Sequence, residues 1–140
     1  MILLGKAAPV ARPQGGRDMN ALLGILQGLL AVLYVIGGSM KVFMWESISQ
    51  QVPSNQAFSR GTWMGIGIFE LLCAVALVLP AATRKYPILT PIAAAGLAIE
   101  GILFAGLHYK YAERSPMAFS LVLAVLAALV ACGRFVLTPL

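Results

Sequence analysis

Four long apolar stretches separated by polar connectors organise this chain. They cover residues 20–43, 62–79, 87–107 and 116–137. At ~1.5 Å per residue such stretches match a hydrocarbon core of ~30 Å, the longer ones with tilt. Inside hydrocarbon every backbone N–H and C=O must be satisfied within its own segment, which makes each stretch a helix. Short connectors between spans then predict an all-α fold, an integral membrane antiparallel four-helix bundle. Residues 1–19 read as a flexible basic segment; Met1 to Leu4 is too short for the apolar core of a signal peptide, and the charges follow it. Residues 20–138 form a single four-helix transmembrane domain. Asn20 is a candidate cap for the first span, and the second is expected to stop at Pro80. Pro87 and Pro91 fall in or near the first turn of the third, where a missing N–H is harmless. Trp63 suits the headgroup level. The connector 45–61 is the longest, with room for a re-entrant or amphipathic piece.

Composition agrees with lipid as the solvent. The chain is 60% hydrophobic and 11% charged, whereas a soluble domain is about a quarter charged. Ten Lys and Arg against five Asp and Glu give a net charge of +5, scattered over connectors in the manner of contacts with anionic headgroups. No aromatic–basic face supports binding of nucleic acid. The side holding the N-terminus, the second connector and the C-terminus carries Lys6, Arg12, Arg17, Arg84, Lys85 and Arg134; the other carries Lys41, Arg60, Lys110 and Arg114. Six against four predicts both termini in the cytoplasm, across a bacterial-type inner membrane. Arg134 reads as a snorkelling anchor. Gly24 and Gly28 form a GxxxG, and further glycines at 37, 38, 65, 67, 96, 101 and 106 mark places where helices can approach closely.

The polar residues inside the spans carry the chemistry, because a charge in hydrocarbon costs a few kcal/mol and turns inward toward a partner or a task. Glu70 lies about seven residues into the second span, and Glu100 eight residues before His108, which ends the third at the same boundary; both carboxyls therefore sit roughly 10–12 Å deep. Gln27, Tyr34 and Lys41 recur every seven residues, on nearly one face of the first span. Tyr34 falls level with the two acids, and Lys41 and His108 near the boundary. Tyr34, Lys41, Glu70, Glu100 and His108 are thus expected in the outer half of the bundle. Glu70 and Glu100 are the candidate acid/base pair, able to hold a proton and pass it to a buried substrate. Tyr34, Lys41 and His108 are candidate ligand-binding residues. The same groups could bind the polar head of a quinone, sterol or isoprenoid, and a Lys41–Glu70 salt bridge that only fixes packing is the bland alternative.

Other chemistries lack their parts. There is no HExxH, P-loop, GxGxxG or Ser/His/Asp set, and no metal-ligand spacing. One histidine cannot supply bis-His haem ligation. Cys73 and Cys132 lie far apart inside apolar blocks and read as small core residues rather than a redox pair.

The layout resembles the DoxX-like membrane proteins. Gly38-Ser39-Met40-Lys41 looks like the GxxK that closes their first helix. Gly67-Ile68-Phe69-Glu70-Leu71 followed by Leu79-Pro80 resembles their second, and His108 and Gly133-Arg134 close the third and fourth. The resemblance covers about Leu22 to Phe135. It implies a four-helix fold with Lys41, Glu70, His108 and Arg134 as shared polar positions; Glu100 stands outside that set and marks a specialised activity. The resemblance implies a small subunit binding a partner protein or a lipophilic, quinone-like cofactor, within a larger redox or biosynthetic membrane complex or a homo-oligomer. Two alternatives stand beside it: an isomerase or cyclase using the buried glutamates on a lipophilic substrate, and an assembly factor with purely structural polar contacts.

Overall fold

In the computed structural model, which describes residues 14–137, every apolar stretch is helical. Helix α1 spans Gln14–Phe43, the short α2 Trp45–Ile48, α3 Arg60–Thr83, α4 Leu89–Lys110 and α5 Arg114–Cys132. A single 3-10 turn, Pro53–Gln56, precedes α3, and α5 continues as a wider π turn over Gly133–Leu137. α1, α3, α4 and α5 are each long and apolar enough to cross a membrane. The molecule is an all-helical multi-pass membrane bundle.

Boundaries differ from the expected ones for local reasons. α1 begins at Gln14, so residues 14–19 of the segment read as flexible are helix, and Asn20 sits inside α1 instead of capping it. Residues 1–13, with Lys6 and Arg12, lie outside the described part, as do residues 138–140. α3 starts behind Ser59, whose hydroxyl accepts the Thr62 N–H at 3.3 Å. It also runs through Pro80 to Thr83 instead of stopping there. Proline lacks the N–H that would bond the carbonyl four residues back. That carbonyl, Ala76 O, accepts instead from the Thr90 hydroxyl of α4 at 3.0 Å, and Leu77 O accepts the Gln27 amide of α1 at 2.7 Å. Neighbouring helices re-satisfy the freed backbone, which lets a proline sit inside a spanning helix. Arg84, in the left-handed region at φ 56°, then closes α3.

α1 lies along α3 and α4 along α5, and a looser α3–α4 seam joins the two pairs. The core is rich in small residues, among them Ala74, Ala94 and Ala127 around Leu30, Leu77 and Leu97. Its outer faces carry aliphatic side chains such as Ile25, Leu72, Ile102 and Val125, which lipid solvates without cost. With no hydrophobic force between helices in lipid, close approach is what holds them. Close approaches include Gly38 on α1 against Gly67 on α3, and Gly101 on α4 against Ala124 on α5. A Cβ at Gly28 would meet nothing within 4 Å, so the GxxxG of the first span forms no crossing inside the bundle. Cys73 is buried as expected of a core residue, but Cys132 is exposed.

Candidate functional site

Lys41 closes α1 on the same inward stripe as Gln27 and Tyr34, which are 2% and 5% exposed. Its ammonium donates to both oxygens of Glu70, at 2.8 and 3.0 Å. Gly37 and Gly38 beside it leave room for that pair: a Cβ at Gly37 would stand 3.6 Å from Glu70 Oε2 and 3.8 Å from Lys41 Nζ. The Lys41 ammonium also lies 5.6 Å from the centroid of the Phe104 ring, in cation–π range.

Glu100 has no ammonium of its own; its carboxyl lies beside that of Glu70. Both of its carboxyl oxygens are buried and make no hydrogen bond. They border a polar cavity of about 170 Å³ lined by all five expected site residues, Tyr34, Lys41, Glu70, Glu100 and His108. Depth arithmetic therefore located the right level, and helix packing turned every one of these side chains to the same space. Arg134 lies elsewhere. It is 4% exposed and no snorkelling anchor; its guanidinium donates to Gln27 Oε1 at 2.5 Å and to Asn20 Oδ1 at 2.6 Å inside the bundle. A Cβ at Gly24 would stand 4.0 Å from that guanidinium.

Other lining residues escaped the sequence reading. Trp63, read as a headgroup residue, is 3% exposed and its indole N–H is buried without a hydrogen bond. It packs at 5.6 Å against each of Trp45, Phe58 and Phe104, and Phe104 stacks in turn on His108. The signal was present in the spacing: Trp63 stands seven residues before Glu70, and Glu100, Phe104 and His108 are four apart. Ser120 and Phe119 of α5 complete the wall. On the far side of Glu100 and Phe104, an apolar groove of about 490 Å³ lies between α3 and α4, lined by Thr62, Gly65, Ile66, Phe69, Gly96 and Leu103 among others. Glu100 and Phe104 border both spaces.

The connector before α3 lies at one end of the cavity, which its Asn55 helps to line. Ser54 is fully buried there; its N–H donates to Glu113 Oε2 at 3.1 Å, and its hydroxyl lies 3.2 Å from His108 Nδ1. The same Nδ1 lies 2.7 Å from Glu113 Oε1. An ionised carboxylate only accepts, so Nδ1 carries the proton in this pairing. The Asn55 side-chain amide, from the same turn, donates to the Ile48 carbonyl. Burial works against ionisation of Glu113, but hydrogen bonds from Ser54 and His108 outweigh it and hold its carboxyl below the usual carboxylate range. A carboxyl depressed on folding stabilises fully above its unfolded pKa and loses that contribution as pH falls through the folded value. The amide protection factor at Ser54 should accordingly drop several-fold on acidification below about pH 4. Glu113→Gln should begin from the lower value and show no acid step; an equal step in that variant would remove Glu113 as its origin.

A family model described as the DoxX-like family matches residues 25–130, more than half of the chain. No curated protein and no solved structure matches it.

Proposed function

The chain belongs to the DoxX-like family, and from that premise we propose that it is a membrane subunit holding a lipophilic molecule by its polar part in the cavity beside Glu100. The observation that carries this reading is the pair of Glu100 oxygens, buried at the cavity wall with no hydrogen bond. A buried polar group left unsatisfied costs about 1–3 kcal/mol, a cost that a bound molecule removes. The Lys41–Glu70 pair has a different part. It is closed on itself, fixes α1 against α3 and sets the cavity's charge, so it suits packing better than proton transfer.

The Glu100 carboxyl also serves a second reading. A proton-transfer enzyme acting on a lipophilic substrate would use Glu100 as acid/base, with Tyr34 across the same cavity orienting the substrate. Catalytic turnover of a captured molecule separates that enzyme from a binding subunit. The proposed orientation places both termini in the cytoplasm of a bacterial-type inner membrane and the cavity toward the outer leaflet. Lys41 and Arg134 are engaged inside the bundle and leave the connector count. Lys6, Arg12, Arg17, Arg84 and Lys85 then face Arg60, Lys110 and Arg114, and the excess keeps its sign.

The test is lipid mass spectrometry of protein extracted into nanodiscs with its surrounding bilayer. Wild-type protein should carry one class of lipophilic molecule enriched over the bulk lipid, and Glu100→Leu should lose that enrichment by about tenfold. Glu100→Leu should also melt no lower than wild type, since it removes a buried carboxyl that crowds the Glu70 carboxylate. A lipid profile identical to the bulk in both proteins would end the proposal.

A further inference from the structure

We infer that the bound molecule is a neutral, hydroxyl-bearing amphiphile that enters sideways from the bilayer between α3 and α4. This rests on the ligand-binding reading above and adds the ligand's head group and its route. Two observations on opposite sides of Glu100 meet here.

The first concerns the head group. The cavity lining contains two kinds of buried atom without a hydrogen bond, the acceptor oxygens of Glu100 and the donor N–H of Trp63. A hydroxyl donates and accepts, so it complements both, and it suits Glu100 with or without a proton. A carboxylate or phosphate head would add negative charge beside Glu70 and Glu100, where the Lys41 ammonium is already engaged by Glu70. A quaternary ammonium has no N–H to give and no lone pair for the indole.

The second concerns the route. Toward water the cavity lies under the buried Ser54 turn, which is tied to His108 and Glu113. Toward lipid the α3–α4 groove reaches Glu100 through an apolar wall, with Ile99 and Leu103 61% and 69% exposed at its edge. Along α4 the groove extends from Gly96 to Leu107, about 16 Å at 1.5 Å per residue, the depth of one leaflet's hydrocarbon. Gly65 keeps it open on α3, since a Cβ there would meet nothing within 4 Å. A tail seated in this groove brings its hydroxyl to Glu100.

The experiment uses the full chain in phosphatidylcholine nanodiscs and three photoreactive probes with one diazirine-bearing alkyl tail, ending in a hydroxyl, a carboxylate or a trimethylammonium. The alcohol should label α3 and α4 groove residues saturably, at least about fivefold more strongly than either charged probe. Gly65→Leu, which places a side chain in the groove at a position whose Cβ meets nothing within 4 Å, should reduce that labelling about tenfold. Gly106→Leu, the same change at another open glycine outside the groove, should leave it intact. Saturable labelling of Tyr34 or Ser120 that ignores both head group and Gly65→Leu would overturn the sideways hydroxyl ligand while leaving the binding reading standing. A cross-link between the α3–α4 seams of two copies would overturn it in favour of a dimer. No saturable labelling by any probe, with no lipid enriched in the nanodiscs, would overturn both.

Discussion

Lys41→Met should lower the unfolding free energy of the bundle by about 3 kcal/mol, and adding Glu70→Leu should recover most of that loss. The single variant strands Glu70, 3% exposed and accepting two hydrogen bonds from Lys41, beside a second acid at the same cavity. Breaking a buried ion pair is costly because the surviving charge keeps its desolvation penalty and loses its counter-charge; replacing both partners with apolar groups removes penalty and attraction together. Glu70→Leu alone should cost less than Lys41→Met. The Lys41 side chain is 19% exposed against 4% for Glu70, so its ammonium can turn toward the headgroups. Reversible unfolding in mixed micelles, followed by tryptophan fluorescence, gives all four corners of this cycle. Losses that simply add in the double variant would show that the pair does not act as a unit.

Gly67→Ala should destabilise by about 2–3 kcal/mol, although alanine is the better helix former. A Cβ at Gly67 would fall 2.7 Å from the Gly38 carbonyl oxygen and 2.9 Å from a Val42 methyl. The oxygen belongs to the backbone of a packed helix and cannot rotate aside, so α1 and α3 must separate. Since Lys41 and Glu70 each follow their crossing glycine by three residues, that separation also lengthens the ion pair. Gly28→Ala is the matched control. Its Cβ meets nothing within 4 Å, and it should be neutral or gain up to about 1 kcal/mol from propensity. Equal effects at both positions in the same unfolding assay would mean that the α1–α3 approach is not sterically limited.

Several features of the site were legible before any coordinates. A helix in lipid rises a fixed distance per residue, so Glu70, Glu100 and Tyr34 could be assigned a common depth by counting from the span boundaries. Pro80 and Arg134 misled for one shared reason: each was judged by what its own segment offers. Pro80 ends a helix unless another helix covers the freed carbonyl, and Thr90 comes from α4 to do so. Arg134 snorkels unless acceptors reach it, and Gln27 and Asn20 do, more than a hundred residues away in sequence. Trp63 was placed by its position at the start of the second span, and its enclosure by Trp45, Phe58 and Phe104 is a product of packing.

The sequence by itself determined the solvent, the number of spans, and the level at which the ionisable groups lie, because hydrocarbon imposes helical hydrogen bonding and rise along a helix is a one-dimensional count. Tertiary structure decided which acid receives the lysine. Lys41 could have served either carboxyl on grounds of depth. The crossing of Gly38 over Gly67 sets α1 against α3 and gives it to Glu70, so Glu100 lines the cavity without an ammonium of its own. Rotation about a helix axis and the identity of its neighbour arise only when small residues let two backbones touch, and no periodicity within one helix encodes that choice.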